Sequence, residues 1–340
     1  MDRKHILINS KFCFGPMSKN IIDAIIEYSN KNKMPFTFIP SRRQIEYNGG
    51  YVNNWSTEDF AKYVYSKSKY IAIQRDHGGP NQGSELDDGY ESLMCDCKWF
   101  DSIHIDPWKS YPNMEDGIEW TINMIQYCYN INNNLYFEIG TEEAIRKFEV
   151  SEIDYFLSRI KQKLTDEIFQ RILFCVIQSG TGIKNGINTG IYDETRLKNM
   201  IQTVKKYNLY TKEHNGDFMS DKILKNRFET GLSSLNIAPE LGILETKTIL
   251  SGGQALYNAS LYNLCYKSNK WKKWVDDYFV PEKNKNKVIE ISLHYLFSTE
   301  SVIKIKEDIS KKIGYDIDIT IKNKITEFIE KIILDSVVIQ

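Results

Sequence analysis

Apolar and polar positions follow two rhythms along this chain. Short β-rich runs occur at Ile6–Asn9, Phe36–Pro40, Tyr70–Arg75, Ser102–Asp106, Asn134–Gly140, Ile172–Gln178, Tyr207–Lys212 and Leu235–Ala238, and these predict strands. Between them lie stretches with the 3.6-residue period of an amphipathic helix. They are Ser18–Asn32, Thr57–Lys67, Met114–Asn130, Ser151–Lys163, Glu194–Tyr207, Ser220–Phe228 and Leu241–Leu264, the last with a break near Gly252-Gly253. Ser18–Asn32 gathers Ile21, Ile22, Ala24, Ile25 and Ile26 on its apolar side. Thr57–Lys67 opens on Ser56-Thr57-Glu58-Asp59, the pattern of a reciprocal capping box.

Eight strands alternating with helices predict a (β/α)8 TIM barrel. A doubly wound open sheet has the same alternation, but eight units favour closure. Past roughly residue 266 the alternation stops, and Lys267–Tyr278, Lys287–Leu296, Thr299–Ile313 and Ile319–Leu334 read as helices after a charged linker at Lys283–Lys287. The expected organisation is a barrel over 1–265 and a helical C-terminal extension over 266–340.

With 340 residues and 41% hydrophobic content, the chain is long enough for one large barrel and an appendage. Its 44 Lys and Arg balance 45 Asp and Glu, without the basic stripe that nucleic acid requires. Of six cysteines only Cys95 and Cys97 are close, and no second pair stands ready to complete a zinc site. The first residues, MDRKHILINSKF, lack the apolar core of a signal peptide. No apolar run approaches the ~20 residues of a membrane span. These features predict a cytoplasmic protein with a small-molecule partner and free thiols.

A barrel gathers its chemistry at the C-terminal ends of its strands. Those ends carry Arg42-Arg43-Gln44, Asp76-His77, Asp106, Glu142-Glu143, Gln178-Ser179-Gly180, Glu213-His214, and Asn236 with Glu240. Of five histidines, His77, His104 and His214 fall on or just after strands, whereas His5 and His294 read as structural or surface residues. Imidazole beside carboxylate suits a divalent metal, Zn2+ or Mn2+. His104 shares a strand face with Asp106 one layer deeper, which suggests a core position or one that supports a ligand from behind. Arg42, Arg43 and the Gly180-Thr-Gly182 turn could bind a phosphate. Strands three to six hold no interior lysine, which argues against Schiff-base chemistry. There is no G-x-S-x-G elbow, P-loop or dinucleotide fingerprint.

Seven of these segments, in order and in spacing, resemble the tagatose-bisphosphate aldolase subunit family, the non-catalytic type of class II aldolase subunit. They are Gln44-Ile-Glu-Tyr-Asn-Gly-Gly-Tyr51, Asp76-His-Gly-Gly-Pro-Asn81, Ile103-His-Ile-Asp106, Ile139-Gly-Thr-Glu142, Val176-Ile-Gln-Ser-Gly180, Glu213-His214 and Asn236-Ile-Ala-Pro239. The resemblance runs from roughly residue 10 to 250. It implies that Asp76 is catalytic, that His77 and His214 are metal ligands, and that Asn236 meets the substrate. It further implies that Glu142 aids proton transfer or binds the metal. Catalytic class II aldolases have a third zinc histidine after strand six, where this chain has Gln178. Either Glu142 or Gln178 then completes the metal shell, or the metal is absent. Gln44, Arg43, Asp106, Ser179 and Gly180 are further candidates for contact with the substrate.

The expected activity is metal-dependent aldol or retro-aldol chemistry on a ketose or ketose phosphate, through a stabilised enediolate. The same residues could serve a ketose 4-epimerase working by a retro-aldol route. A non-catalytic subunit stabilising a partner aldolase is the reading from another class, and a homo-oligomer is equally compatible with the sequence.

Overall fold

A computed structural model describes residues 2–141, 147–253 and 256–336. The chain begins with helix α1 (Arg3–Asn9), followed by β1 (Phe12–Phe14), α2 (Lys19–Asn32), β2 (Phe36–Phe38), α3 (Thr57–Lys67) and β3 (Ile71–Gly78). Next come α4 (Tyr90–Trp99), β4 (Ser102–Ile105), α5 (Met114–Ile131), β5 (Tyr136–Gly140), α6 (Val150–Lys163), α7 (Asp166–Phe169) and β6 (Ile172–Val176). A small hairpin, β7 (Ile183–Lys184) and β8 (Ile187–Asn188), precedes α8 (Glu194–Lys205), β9 (Tyr210–Glu213), α9 (Asp221–Thr230) and β10 (Ser234–Ile237). The remaining helices are α10 (Pro239–Gly253), α11 (Asn258–Ser268), α12 (Lys285–Ser292), α13 (Glu300–Ile313) and α14 (Ile317–Asp335).

Eight parallel strands close into a barrel in the order β1-β10-β9-β6-β5-β4-β3-β2. Its apolar shell lies between strands and helices: Phe38 of β2 meets Phe60 of α3, and Trp108 meets Phe148 and Phe156. The capping box of α3 forms as its sequence predicts, Ser56 accepting from Asp59 N and Asp59 from Ser56 N. α14 lies against α2 and α10 and buries Ile317, Ile321, Ile325, Ile329 and Ile332.

Several elements differ from the sequence reading. Ile6–Asn9 is not a strand but part of α1, whose N-terminus Asp2 caps by accepting from His5 N. Only Ile6 and Leu7 are buried there, and a run so short has no period that separates helix from strand. Both pack against Ala72, Leu173 and Phe174, and Arg3 donates to the Ile71 carbonyl at the start of β3. α1 therefore closes the N-terminal end of the barrel. α4 went unread because its apolar positions are few, Leu93 and Cys97 being the buried ones among polar neighbours. The segment 241–264 is split into α10 and α11, and 267–278 holds a short 3-10 helix, Lys270–Trp274, in place of a full helix. Among the described residues no helix is long and apolar enough to cross a membrane.

Candidate active site

Four side chains converge inside the C-terminal mouth of the barrel. One donor atom each from Asp76, His77, His104 and His214 lies within 4.8 Å of the others. The three imidazoles stand 5.0–5.2 Å apart, centroid to centroid.

Asp76 and His77 are adjacent, and in a regular strand they would face opposite ways. Strand β3 does not end before them, as the sequence suggested. Its register against β4 shifts between Arg75 and Gly78, and His77 takes a left-handed φ of 50°. That bulge turns both side chains to the same interior. Arg75, fully buried, faces the other way and pairs with Asp96 of α4 at 2.6 Å. It also donates to the carbonyls of Pro40 and Ile45, which ties the loop after β2 to β3.

Each histidine has its own support. His77 Nδ1 bonds Asp106 at 2.7 Å, and Asp106 also accepts from Gln82 Nε2 and Trp108 N. His214 Nε2 bonds Glu138 Oε1 at 2.9 Å. Glu138 is completely buried and forms an ion pair with Lys212 at 2.6 Å, and Lys212 also donates to Gln74. Burial opposes the Glu138 carboxylate, yet Lys212 and the His214 bond hold its pKa well below the usual range. Burial likewise works against the Lys212 ammonium, and the neighbouring Cys13 and Glu138 more than restore it. His104 is pushed down to about 4, first by burial, so its imidazole is neutral at neutral pH.

Sequence reasoning missed Glu138 and Lys212 and set His104 apart from the metal site. Lys212 also corrects the survey of interior lysines, because it lies on β9, outside the strands considered. There it is paired with the buried Glu138 carboxylate.

The site opens into a cavity of about 1050 Å³ lined by Asp76, His77, Arg43, Gln44, Ser179 and Gly180 among others. Gln44 accepts from Ser41 N and points its amide nitrogen at the Met17 sulfur. Ser179 is tied by its N–H and hydroxyl to Glu213, and Arg227 clamps the pair. Glu213 is thus structural where its neighbour His214 faces the interior. Gly180 has φ +94°, and a Cβ there would come within 1.9 Å of the Ile191 carbonyl oxygen, so only glycine fits this turn. Asn236, buried in β10, has no hydrogen-bond partner for either amide atom among the described residues.

Arg42 and His294 are placed otherwise than the sequence suggested. Arg42 does not line the cavity but is buried, paired with Glu46 and Asp87 and bonded to the Gly79 carbonyl. Gln178 accepts from Phe148 N through its amide oxygen, and its Nε2 is buried without a hydrogen-bond partner among the described residues. His294, read as structural or surface, is 2% exposed and lines the cavity. Glu142 lies outside the described residues.

No family model and no curated protein matches the sequence. Solved structures do match its fold. A structure described as a probable tagatose 6 phosphate kinase from Sinorhizobium meliloti 1021 superimposes with a TM-score of 0.77 at 14% identity, over 96% of this chain and 99% of its own. The fructose-bisphosphate aldolase of Campylobacter jejuni gives a TM-score of 0.56 at 14% identity, over 93% of each chain. The YdjI aldolase from Escherichia coli K12 gives 0.51 at 14% identity, over 89% of this chain and 92% of its own. At such identities the likeness is one of fold.

Proposed function

We propose that this chain is a lyase of the class II aldolase type, making or breaking a carbon–carbon bond in a ketose or ketose phosphate. The observation that carries this reading is the convergence of Asp76, His77, His104 and His214 at the barrel mouth. The donor set fits a divalent metal. Both ring nitrogens of His104, Nδ1 of His214 and Oδ1 of Asp76 are buried without hydrogen-bond partners among the described residues, and buried polar atoms are otherwise nearly always satisfied. A barrel that only stabilised a partner would have no reason to leave them so.

His77, His104 and His214 would hold the ion, with Zn2+ or Mn2+ suited to imidazole ligands. When bound, it supplies Lewis-acid polarisation of a ketose carbonyl. Asp76 takes and returns the proton of the hydroxyl on the carbon being cleaved. Asp106 and Glu138 fix the ring orientations of His77 and His214 by the hydrogen bonds they already accept. Gln44 and Asn236 orient substrate hydroxyls. The fold shared with two aldolase structures agrees with this chemistry without specifying it.

Metal analysis with a cleavage assay tests the reading. About one zinc or manganese per chain should copurify and be lost in His77→Ala and His214→Ala, together with aldehyde release from ketose phosphates. A metal-free wild type with full activity would overturn it.

A further inference from the structure

The cavity has two polar walls that differ in charge compensation. On the wall after β6, Arg196 donates to the carbonyls of Gln178 and Phe148 and pairs with Glu149, while Lys184 pairs with Asp276. The other wall combines the loop after β2 with the segment that follows α11, which meets the first where Lys184 pairs with Asp276. It presents Arg43, Tyr51, Lys273, His294 and Tyr295 to the cavity. The Tyr51 and Tyr295 rings meet edge to face at 4.9 Å, and His294 lies 4.0 Å from Tyr295, centroid to centroid. Lys273 Nζ stands 4.6 Å from the Trp274 ring centroid and 5.0 Å from that of Tyr295. Aromatic faces hold an ammonium without neutralising it.

Neither Arg43 nor Lys273 has an acidic partner among the described residues. Among the described residues Arg43 makes one hydrogen bond, to the Gly83 carbonyl. Both ring nitrogens of His294 are buried and unpartnered among the described residues. Burial in this wall, then the nearness of Arg43 and Lys270, lowers the pKa of Lys273, although its side chain remains open to the cavity. Two basic side chains and an imidazole with unsatisfied ring nitrogens gather on one wall, a donor set suited to an anion.

We infer that Lys273, Arg43 and His294 form an anion subsite that binds the phosphate of a phosphate-monoester substrate. A dianion can accept from guanidinium, ammonium and imidazole N–H at once, whereas a carboxylate carries half the charge and one oxygen fewer. This inference rests on the reading of the cavity as a substrate site. It makes the region after the barrel part of substrate recognition.

Calorimetric titration of the full chain, stripped of metal with EDTA, tests it with inorganic phosphate, glycerol 3-phosphate and glycerate as probes. Both phosphates should bind, with glycerate at least about tenfold weaker. Lys273→Gln and Arg43→Gln should each weaken glycerol 3-phosphate on the order of tenfold or more, the usual cost of a lost charge-assisted bond. Lys272→Gln, whose side chain does not line the cavity, should bind as wild type. Thermal melts report whether each variant is folded, and Lys273→Arg, which keeps the charge, should retain binding if Lys273→Gln does not fold. No binding of phosphate to the wild type, or glycerate binding equally well, would overturn the subsite. So would loss in Arg196→Gln or Lys184→Gln with Lys273→Gln and Arg43→Gln unaffected. Because binding is read without metal or turnover, a chain that binds glycerol 3-phosphate but cleaves no sugar keeps the subsite and loses the lyase reading.

Discussion

Two carboxylates flank His77, and their surroundings divide the work between them. Asp106 is buried and accepts from His77, Gln82 and Trp108. Burial alone would raise its pKa, but the His77 bond and charge bring it down to about 2. It is a permanent anion with its lone pairs committed, suited to orient an imidazole and unsuited to carry a proton. Asp76 is half-buried, lines the cavity and leaves Oδ1 without a hydrogen-bond partner among the described residues. Asp76→Asn should therefore keep the metal and the fold while kcat at saturating metal falls on the order of 10²–10⁴-fold, the scale of general acid/base catalysis. Near-wild-type turnover would remove that role from Asp76. Asp106→Asn should act in the opposite way, weakening metal affinity by roughly 10–100-fold and recovering its rate in excess metal. Affinity unchanged in Asp106→Asn would mean that packing alone orients His77.

At the scale of elements, the site depends on how β3 ends. Gly79 follows the bulge, and a Cβ there would lie 2.1 Å from the Asp106 carbonyl oxygen. Gly79→Ala must push β3 and β4 apart where His77 meets Asp106, at a cost of roughly 1–3 kcal/mol for overpacking. We expect a lower Tm together with weaker metal binding, and a variant with both unchanged would show that the mouth tolerates the separation. Elements defined by local rules were legible in the sequence. The α3 boundaries follow from Ser56 and Asp59, and the rim residues from strand ends beside glycine and proline. The polar layer beneath the rim was harder to read. Gln74, His104 and Lys212 each sit two residues before a rim residue, Asp76, Asp106 and His214. Alternation can place each on its own strand face, but which of them meet is decided by register between strands, as where His104 lies opposite Glu138. Nothing local encodes that register, so Glu138 and Lys212 looked like ordinary strand residues. His294 joins the site from a segment that follows the barrel, beyond any motif.

For the whole molecule, the Glu138–Lys212 ion pair sits inside the barrel with both partners almost fully buried. Lys212→Met would leave an uncompensated buried carboxylate and should cost about 3–5 kcal/mol, read as a fall in the urea midpoint. A variant as stable as wild type would mean that Glu138 takes up a proton at little cost. The five isoleucines of α14 that pack on the barrel helices each contribute roughly 1.5–3 kcal/mol by burial. Their sum exceeds the ~5–15 kcal/mol margin of a typical fold at its lower end. Truncation after Asp316 should accordingly yield unfolded or aggregated chain, and a soluble product melting like wild type would contradict this. At the opposite end α1 packs Ile6 and Leu7 against Ala72, Leu173 and Phe174, so among the described residues the cup opens at its C-terminal mouth. For a cleavage run inside it, that imposes a queue. The fragment nearer the rim departs first, and the fragment held against the histidines follows only when the way is clear. Added back as a product, the inner fragment should compete with substrate for the empty enzyme. The outer fragment should bind the enzyme that still holds the inner one, giving a mixed pattern of inhibition.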